Sequence, residues 1–254
     1  MSASAIVGWR QEDLHAWHVL RPLLDGGGYL PWTTGSMRPA GLVVVCNEIV
    51  HGARTRIVEC GSGVSTVVLA RLLRERGAGR LVALEHDRDW AALVREQLRR
   101  EALDGTARVL DAPLEGEPPW YAPARLAEIP EEIDLLVVDG PPAYDPGHQT
   151  RRAPALPRLD GRLVADAAVV LDDIARAGER EVLAGWEATS DWRFAVDEPA
   201  GVAIGRRQHD THAPDRIGTG HDAHSTAPAS ILRPAAATGT ASGPSEQRAD
   251  GRLR

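Results

Sequence analysis

From Arg54 to Arg206 short apolar runs alternate with longer amphipathic stretches, and few folds satisfy that pattern. A run that is apolar throughout, rather than at every second residue, suits a strand buried on both faces. Such runs predict strands at 56–60, 80–85, 107–110, 133–138 and 167–171. Helices are expected at 65–76, 88–103 and 174–189, with a short one near 149–158 and a Pro- and Glu-rich loop over 112–131. Residues 192–197 and 201–206, joined by Glu198-Pro199-Ala200, read as a closing hairpin. Strands that alternate with helices lie parallel in one sheet, with helices on both faces. The expected fold is therefore α/β: a doubly wound, mostly parallel seven-stranded sheet with an antiparallel terminal hairpin.

Other segments flank this core. Residues 10–24 have the spacing of an amphipathic helix, ended by Asp25-Gly26-Gly27-Gly28. Pro31 to Pro39 reads as loop. Gly41 to His51 reads as a second helix or buried segment, although Leu42-Val43-Val44-Val45 also suits a strand. The expected organisation is a helical cap over 1–53, a ligand-binding domain over 54–207 and a tail over 208–254. The tail is rich in Ala, Thr, Ser, Gly, Pro and His with balanced charge, too poor in apolar residues to offset the entropy of ordering it, so it is expected to be disordered. His209, His212, His221 and His224 form two H-x-x-H pairs there. With no Cys or carboxylate pattern beside them, chance histidines are the preferred reading over a metal clasp.

Composition narrows the function. The formal net charge of −7 argues against a nonspecific nucleic-acid binder, which needs a basic face. All 29 basic residues are Arg, so no lysine serves as a base or Schiff-base former. Cys46 and Cys60 make neither a disulfide framework nor a metal motif. Met1 to Trp9 lacks the basic and apolar regions of a signal peptide, and no apolar run approaches the ~18 residues of a membrane span. A cytoplasmic protein with no membrane or nucleic-acid partner is expected; nothing in the sequence speaks to the oligomeric state.

Ligands of open α/β sheets bind beyond the carboxyl ends of the strands, at the topological switch. Glu59, Gly61, Ser62, Gly63, Ser65 and Thr66 follow the first strand. Glu85, His86 and Asp87 follow the second, Asp111 and Ala112 the third, Asp139 the fourth, and Asp172 and Asp173 the fifth. Every strand end carries an acid, from which a core strand gains nothing. Gly61 and Gly63 would let backbone approach a ligand without a Cβ in the way. Glu85, about 20 residues past the glycines, suits both hydroxyls of a ribose. Asp111 and Ala112 would meet an adenine edge, and Glu59 a cationic amino acid moiety.

This ordered series resembles the class I S-adenosylmethionine-dependent methyltransferases, over about Arg54 to Arg206. The likeness includes E-x-G-x-G at Glu59-Cys60-Gly61-Ser62-Gly63, the acid at Glu85 and the terminal hairpin. Within that family it is most similar to small-molecule O-methyltransferase-like domains. Their V-D-G-P-P matches Val138-Asp139-Gly140-Pro141-Pro142, their Trp-Tyr matches Trp120-Tyr121, and their L-D-D-x-x-R matches Leu171-Asp172-Asp173-Ile174-Ala175-Arg176. The resemblance implies S-adenosylmethionine as cofactor and methyl transfer to a small-molecule acceptor, expected at a hydroxyl oxygen. Two alternatives are a catalytically inactive cofactor-binding protein that works through partners, and an NAD-dependent oxidoreductase. The second is disfavoured because Thr66 stands where the third glycine of G-x-G-x-x-G belongs.

An alcohol acceptor must lose its proton. Asp139, Asp172 and Asp173 would suit Mg²⁺, which lowers the pKa of a bound hydroxyl; catechol-type O-methyltransferases, by resemblance, hold a metal at these strand ends. In the competing reading Asp173 caps a helix that starts at Ile174, and Arg176 pairs with a neighbouring acid. Those enzymes place a lysine base shortly after the fourth-strand Asp, where this chain has Pro142. Asp139, His148 and Tyr144 remain as catalytic candidates. Thr34 and Ser36, in the loop from Trp32 to Pro39, are expected at the cofactor or on a plain surface loop. Trp120 and Tyr121 are expected as a lid over the acceptor or as pins for their loop. Arg151 and Arg152 are candidates to hold an anionic acceptor, or else solvated arginines.

Overall fold

The computed structural model describes residues 3–208, with side chains from residue 11 onward. The strands are β1 (Arg56–Cys60), β2 (Arg80–Glu85), β3 (Ala107–Asp111), β4 (Leu114–Glu115), β5 (Trp120–Tyr121), β6 (Ile133–Val138), β7 (Leu163–Leu171), β8 (Trp192–Asp197) and β9 (Val202–Arg207). The helices are α1 (Ala3–Leu24), α2 (Pro39–His51), α3 (Val64–Arg76), α4 (Arg88–Arg100), α5 (Pro123–Leu126), α6 (Ala155–Leu159) and α7 (Ala177–Thr189). Seven strands form one sheet in the order β3-β2-β1-β6-β7-β9-β8, and β4 and β5 pair separately. Neighbours from β3 to β7 run parallel, while β9 runs antiparallel to both β7 and β8. From β1 the chain winds outward through β2 and β3, then returns to lay β6 on the other side of β1. The β1–β6 boundary is thus the switch point, where a ligand crevice opens.

Both faces of the sheet are buried, as parallel strands with flanking helices require. Ile57, Leu135 and Val137 point into a core shared with α1 to α4, while Val58, Leu136 and Val138 point into a second core with Trp120, Trp186 and Trp192. Leu20, Leu42, Val45 and Ile49 of the two N-terminal helices enter the first of these cores beside Val64 and Val68. Each such side chain, removed from water, contributes about 1.5–3 kcal/mol before entropy. Local chemistry sets the helix ends: Asp87 accepts from the Asp89 and Trp90 N–H groups, both at 2.9 Å, to cap α4. Gly77 ends α3 with a left-handed φ of 65°.

Several boundaries differ from those expected. The apolar run 42–45 is helical, inside α2. The loop over 112–131 contains the β4–β5 ribbon. β7 begins at Leu163, because a register shift against β6 leaves Ala165 and Asp166 exposed and interrupts the apolar signal. α7 begins at Ala177 rather than 174: residues 174–176 form a turn that ties the Ile174 N–H to the Gly201 carbonyl at 3.0 Å, and Arg176 is still extended. The tail and its four histidines lie outside the described residues. Among the described residues no helix is long and apolar enough to cross a membrane.

Candidate active site

The turn from β1 into α3 fits against the exit of β6. Gly61 has φ +89°, and a Cβ on it would fall 2.9 Å from the Asp139 carbonyl oxygen. A Cβ on Gly140 would fall 2.8 Å from the Tyr121 hydroxyl and 2.9 Å from the Gly61 Cα. At Gly61, then, the missing side chain admits the protein's own backbone rather than a ligand. Gly63 differs: it is extended, and a Cβ there would meet nothing within 4 Å.

Glu59 has no exposed surface and lies outside the cleft lining. Its oxygens accept from Ser65 Oγ at 2.5 Å and Thr66 Oγ1 at 2.6 Å, while Thr66 Oγ1 also accepts from the Gly63 N–H at 3.0 Å. The acid therefore ties β1 to the first turn of α3. Burial pushes its pKa up to about 7, against the pull of the two hydroxyls and with a further push from Glu85. In an unfolded chain a glutamate titrates near 4.3, so the folded state binds this proton more tightly. Stability is expected to fall as pH rises from about 4.5 to about 7, by on the order of 3 kcal/mol, and then to level off. Denaturant unfolding across that window measures the slope, and Glu59→Gln should flatten it; an unchanged slope in the variant would assign it to other groups.

An open cavity of about 260 Å³ lies over the switch point. Of the candidates named from the sequence, Ser36, Gly61, Ser62, Gly63, Ser65, Glu85, His86 and Asp139 line it. Glu85 is buried at the end of β2. One of its oxygens accepts from the Ser62 N–H at 2.9 Å and Ser62 Oγ at 3.0 Å; the other accepts from the Asp87 N–H at 2.9 Å and lies 2.9 Å from His86 Nδ1. Burial alone would raise its pKa, but these hydrogen bonds outweigh it and hold the carboxyl below its ordinary value. Ser36 closes a turn with Thr33, whose N–H donates to Ser36 Oγ at 3.0 Å.

Other candidates stand apart from the cavity. Thr66 is buried with Glu59. Asp111 is Glu85's register partner on β3, 3.9 Å from the Arg88 Nε, and Ala112 is buried with its N–H on the Glu85 carbonyl at 2.6 Å. Neither lines the cavity, nor do Tyr144 and His148, which are exposed on the loop after Pro142. Trp120 and Tyr121 are 1% exposed and form no open lid.

Asp139, Asp172 and Asp173 offer oxygens within 4.8 Å of one another. The buried guanidinium of Arg152 stands among them. Its Nη2 lies 3.2 Å from Asp139 Oδ1 and 3.0 Å from Asp173 Oδ2, and its Nη1 donates to the Asp172 carbonyl at 3.2 Å and lies 3.7 Å from Glu179. Arg176 pairs with Asp173 at 2.8 Å, as the competing reading of that segment has it; but α7 starts at Ala177, and Asp173 caps no helix. Burial, then the repulsion of neighbouring carboxylates, raises the pKa of Asp139 and of Asp172. Arg151 donates to the Pro142 carbonyl at 3.1 Å. Neither arginine lines the cleft.

Residues 58–174 hold the glycine turn, Glu85, Asp139 and the Asp172–Asp173 pair, and they match the protein family described as a methyltransferase domain. Over those residues the chain carries a methyltransferase domain. The fold agrees. The SAH-bound methyltransferase PaMTH1 of Podospora anserina aligns with a TM-score of 0.54 at 16% identity, over 78% of this chain and 88% of that one. A putative caffeoyl-CoA O-methyltransferase from Staphylococcus aureus aligns with a TM-score of 0.49 at 13% identity, over 75% and 91%. The O-methyltransferase TomG of Streptomyces achromogenes aligns with a TM-score of 0.47 at 18% identity, over 68% and 82%. No curated protein matches the chain. The methyltransferase domain also brings to its cavity residues that the motifs do not announce. Trp90, in the first turn of α4, donates its Nε1–H to the Ser62 carbonyl at 2.8 Å and steadies the glycine turn; Met37 also lines the cavity, as does Tyr121 of the Trp120-Tyr121 pair singled out above. A large aromatic just after the Asp87 cap was the available signal for Trp90.

Proposed function

We propose that this chain transfers a methyl group from S-adenosylmethionine to a hydroxyl oxygen of a small, uncharged molecule. The observation that carries the reading is the convergence of Glu85, the Gly61–Gly63 turn and Asp139 on one cavity at the switch point. When bound, the cofactor supplies an electrophilic methyl group on a sulfonium, so alignment is much of the protein's task. Glu85 is assigned to the ribose hydroxyls, which would take the places now held on it by the Ser62 hydroxyl and His86. Ser36 and the Ser62–Gly63 backbone are assigned to the rest of the cofactor. Asp139 is the carboxyl inside the cavity with a raised pKa, suited to take the acceptor's proton. Tyr144 and His148 stand outside the cavity and are assigned no step. Glu85, Asp87 and Asp139 line the cavity and, among the described residues, no Arg lines it, which disfavours an anionic acceptor. A cytoplasmic setting belongs to the same reading, with both cysteines free and buried.

The Asp139–Asp172–Asp173 group does not fit Mg²⁺. The cation needs oxygens at about 2.0–2.1 Å in an octahedral shell, and a guanidinium nitrogen already stands between two of the three carboxylates. Arg152 is assigned as their fixed counter-charge, and no step passes through a metal. Isothermal titration of the protein with S-adenosylmethionine tests the function: binding is expected, and its absence would overturn the reading. Turnover, once an acceptor is found, is expected to be indifferent to EDTA; loss with EDTA and recovery with Mg²⁺ would restore the metal. Tight binding without turnover over a broad acceptor panel would favour an inactive cofactor-binding protein.

A further inference from the structure

Tyr121 carries a polar atom for which the fold provides no use. Its side chain is 1% exposed and packs edge-on to Trp120, with ring centroids 5.2 Å apart. Yet its hydroxyl has no hydrogen-bond partner among the described residues. The nearby Gly61 N–H is already given to the Leu84 carbonyl at 2.9 Å. A buried hydroxyl without a partner is costly, and each such group asks for an explanation. Tyr121 lines the cavity, and only the missing Cβ of Gly140 leaves room for its oxygen there. The hydroxyl therefore stands between the exits of β1 and β6, one strand along from Glu85 on β2.

The covalent order of S-adenosylmethionine is adenine, ribose, sulfur, amino acid. With the ribose on Glu85, the next position along the rim falls at the β1 and β6 exits. We propose that the Tyr121 hydroxyl oxygen is a direct contact for the positively charged sulfonium end of the cofactor, an inference that rests on the functional reading above. Burial holds the phenol neutral, with its pKa well above the ordinary value. A neutral oxygen offers lone-pair density to the polarised C–H groups around a sulfonium without adding a buried charge. The demethylated product has a neutral thioether and gains little from the same oxygen. Tyr121 would thus favour S-adenosylmethionine over S-adenosylhomocysteine and ease product release.

Calorimetric titration of the wild-type chain and Tyr121→Phe with both ligands tests this. The variant is expected to bind S-adenosylmethionine about three- to tenfold more weakly, the weight of one modest polar contact, and S-adenosylhomocysteine within about twofold of wild type. Equal weakening of both ligands, or of neither, would overturn the proposal while leaving the functional reading intact. A wild-type chain that binds neither ligand would remove both. Thermal unfolding without ligand supplies the control: the phenylalanine variant should melt no lower than wild type, because the lost oxygen has no protein partner. A lower melting temperature would mean a structural partner for the hydroxyl, and would also overturn the assignment.

Discussion

Arg152→Met is expected to destabilise the folded domain by about 3–5 kcal/mol, the usual cost of removing one partner from a buried ionic cluster. Arg152 is the counter-charge that reaches Asp139, Asp173 and Glu179 together, and it also satisfies the carbonyls of Asp139 and Asp172. Methionine fills a similar volume, so the loss reports charge and hydrogen bonding rather than a cavity. The penalty should shrink at acid pH, because carboxylates left without the guanidinium relieve their repulsion by taking up protons. Added Mg²⁺ or Ca²⁺ should recover part of the lost stability in the variant and none in wild type, since only the variant leaves three carboxylate oxygens open to a cation. Urea unfolding with and without the ions measures all of this. A loss below about 1 kcal/mol would deny Arg152 its role as counter-charge.

Substitution of the two glycines of the turn should separate folding from binding. Gly61→Ala is expected to cost about 2–4 kcal/mol of stability, because a Cβ at φ +89° is strained and its neighbour is the Asp139 carbonyl, which cannot swing aside. Gly63→Ala is expected to change stability by less than about 1 kcal/mol, since its backbone is extended and its Cβ meets open space. That open space belongs to the cavity, so the same substitution should weaken S-adenosylmethionine binding by at least about tenfold. Thermal melts paired with titration read out both effects. Equal effects at the two positions would mean that both glycines serve the same purpose.

The alternation of strands and helices was legible because it depends on near neighbours in the chain. Ile57 and Val58 declare a buried strand by their own polarity, and Asp87 declares a helix start by its own side chain. The acids and glycines at the strand ends were legible for the same reason: parallel strands place all their carboxyl ends on one rim. What each of those residues faces was not legible. Glu59 reads as a ligand contact by its place in E-x-G-x-G, but it turns inward to Ser65 and Thr66, since its direction follows from how α3 seats on β1. Asp139, Asp172 and Asp173 read as a metal set until Arg152, which lies 13 residues from Asp139 and 21 from Asp173 in the chain, enters between them. Trp120 and Tyr121 read equally as a lid over the acceptor or as pins for their loop, and they are among the largest fully buried side chains. The sequence by itself determined the layers and the rim, because periodicity and turn chemistry are local. The tertiary structure alone decided which polar atoms on that rim meet protein and which meet the cavity, because that depends on contacts between segments whose separation in the chain carries no signal.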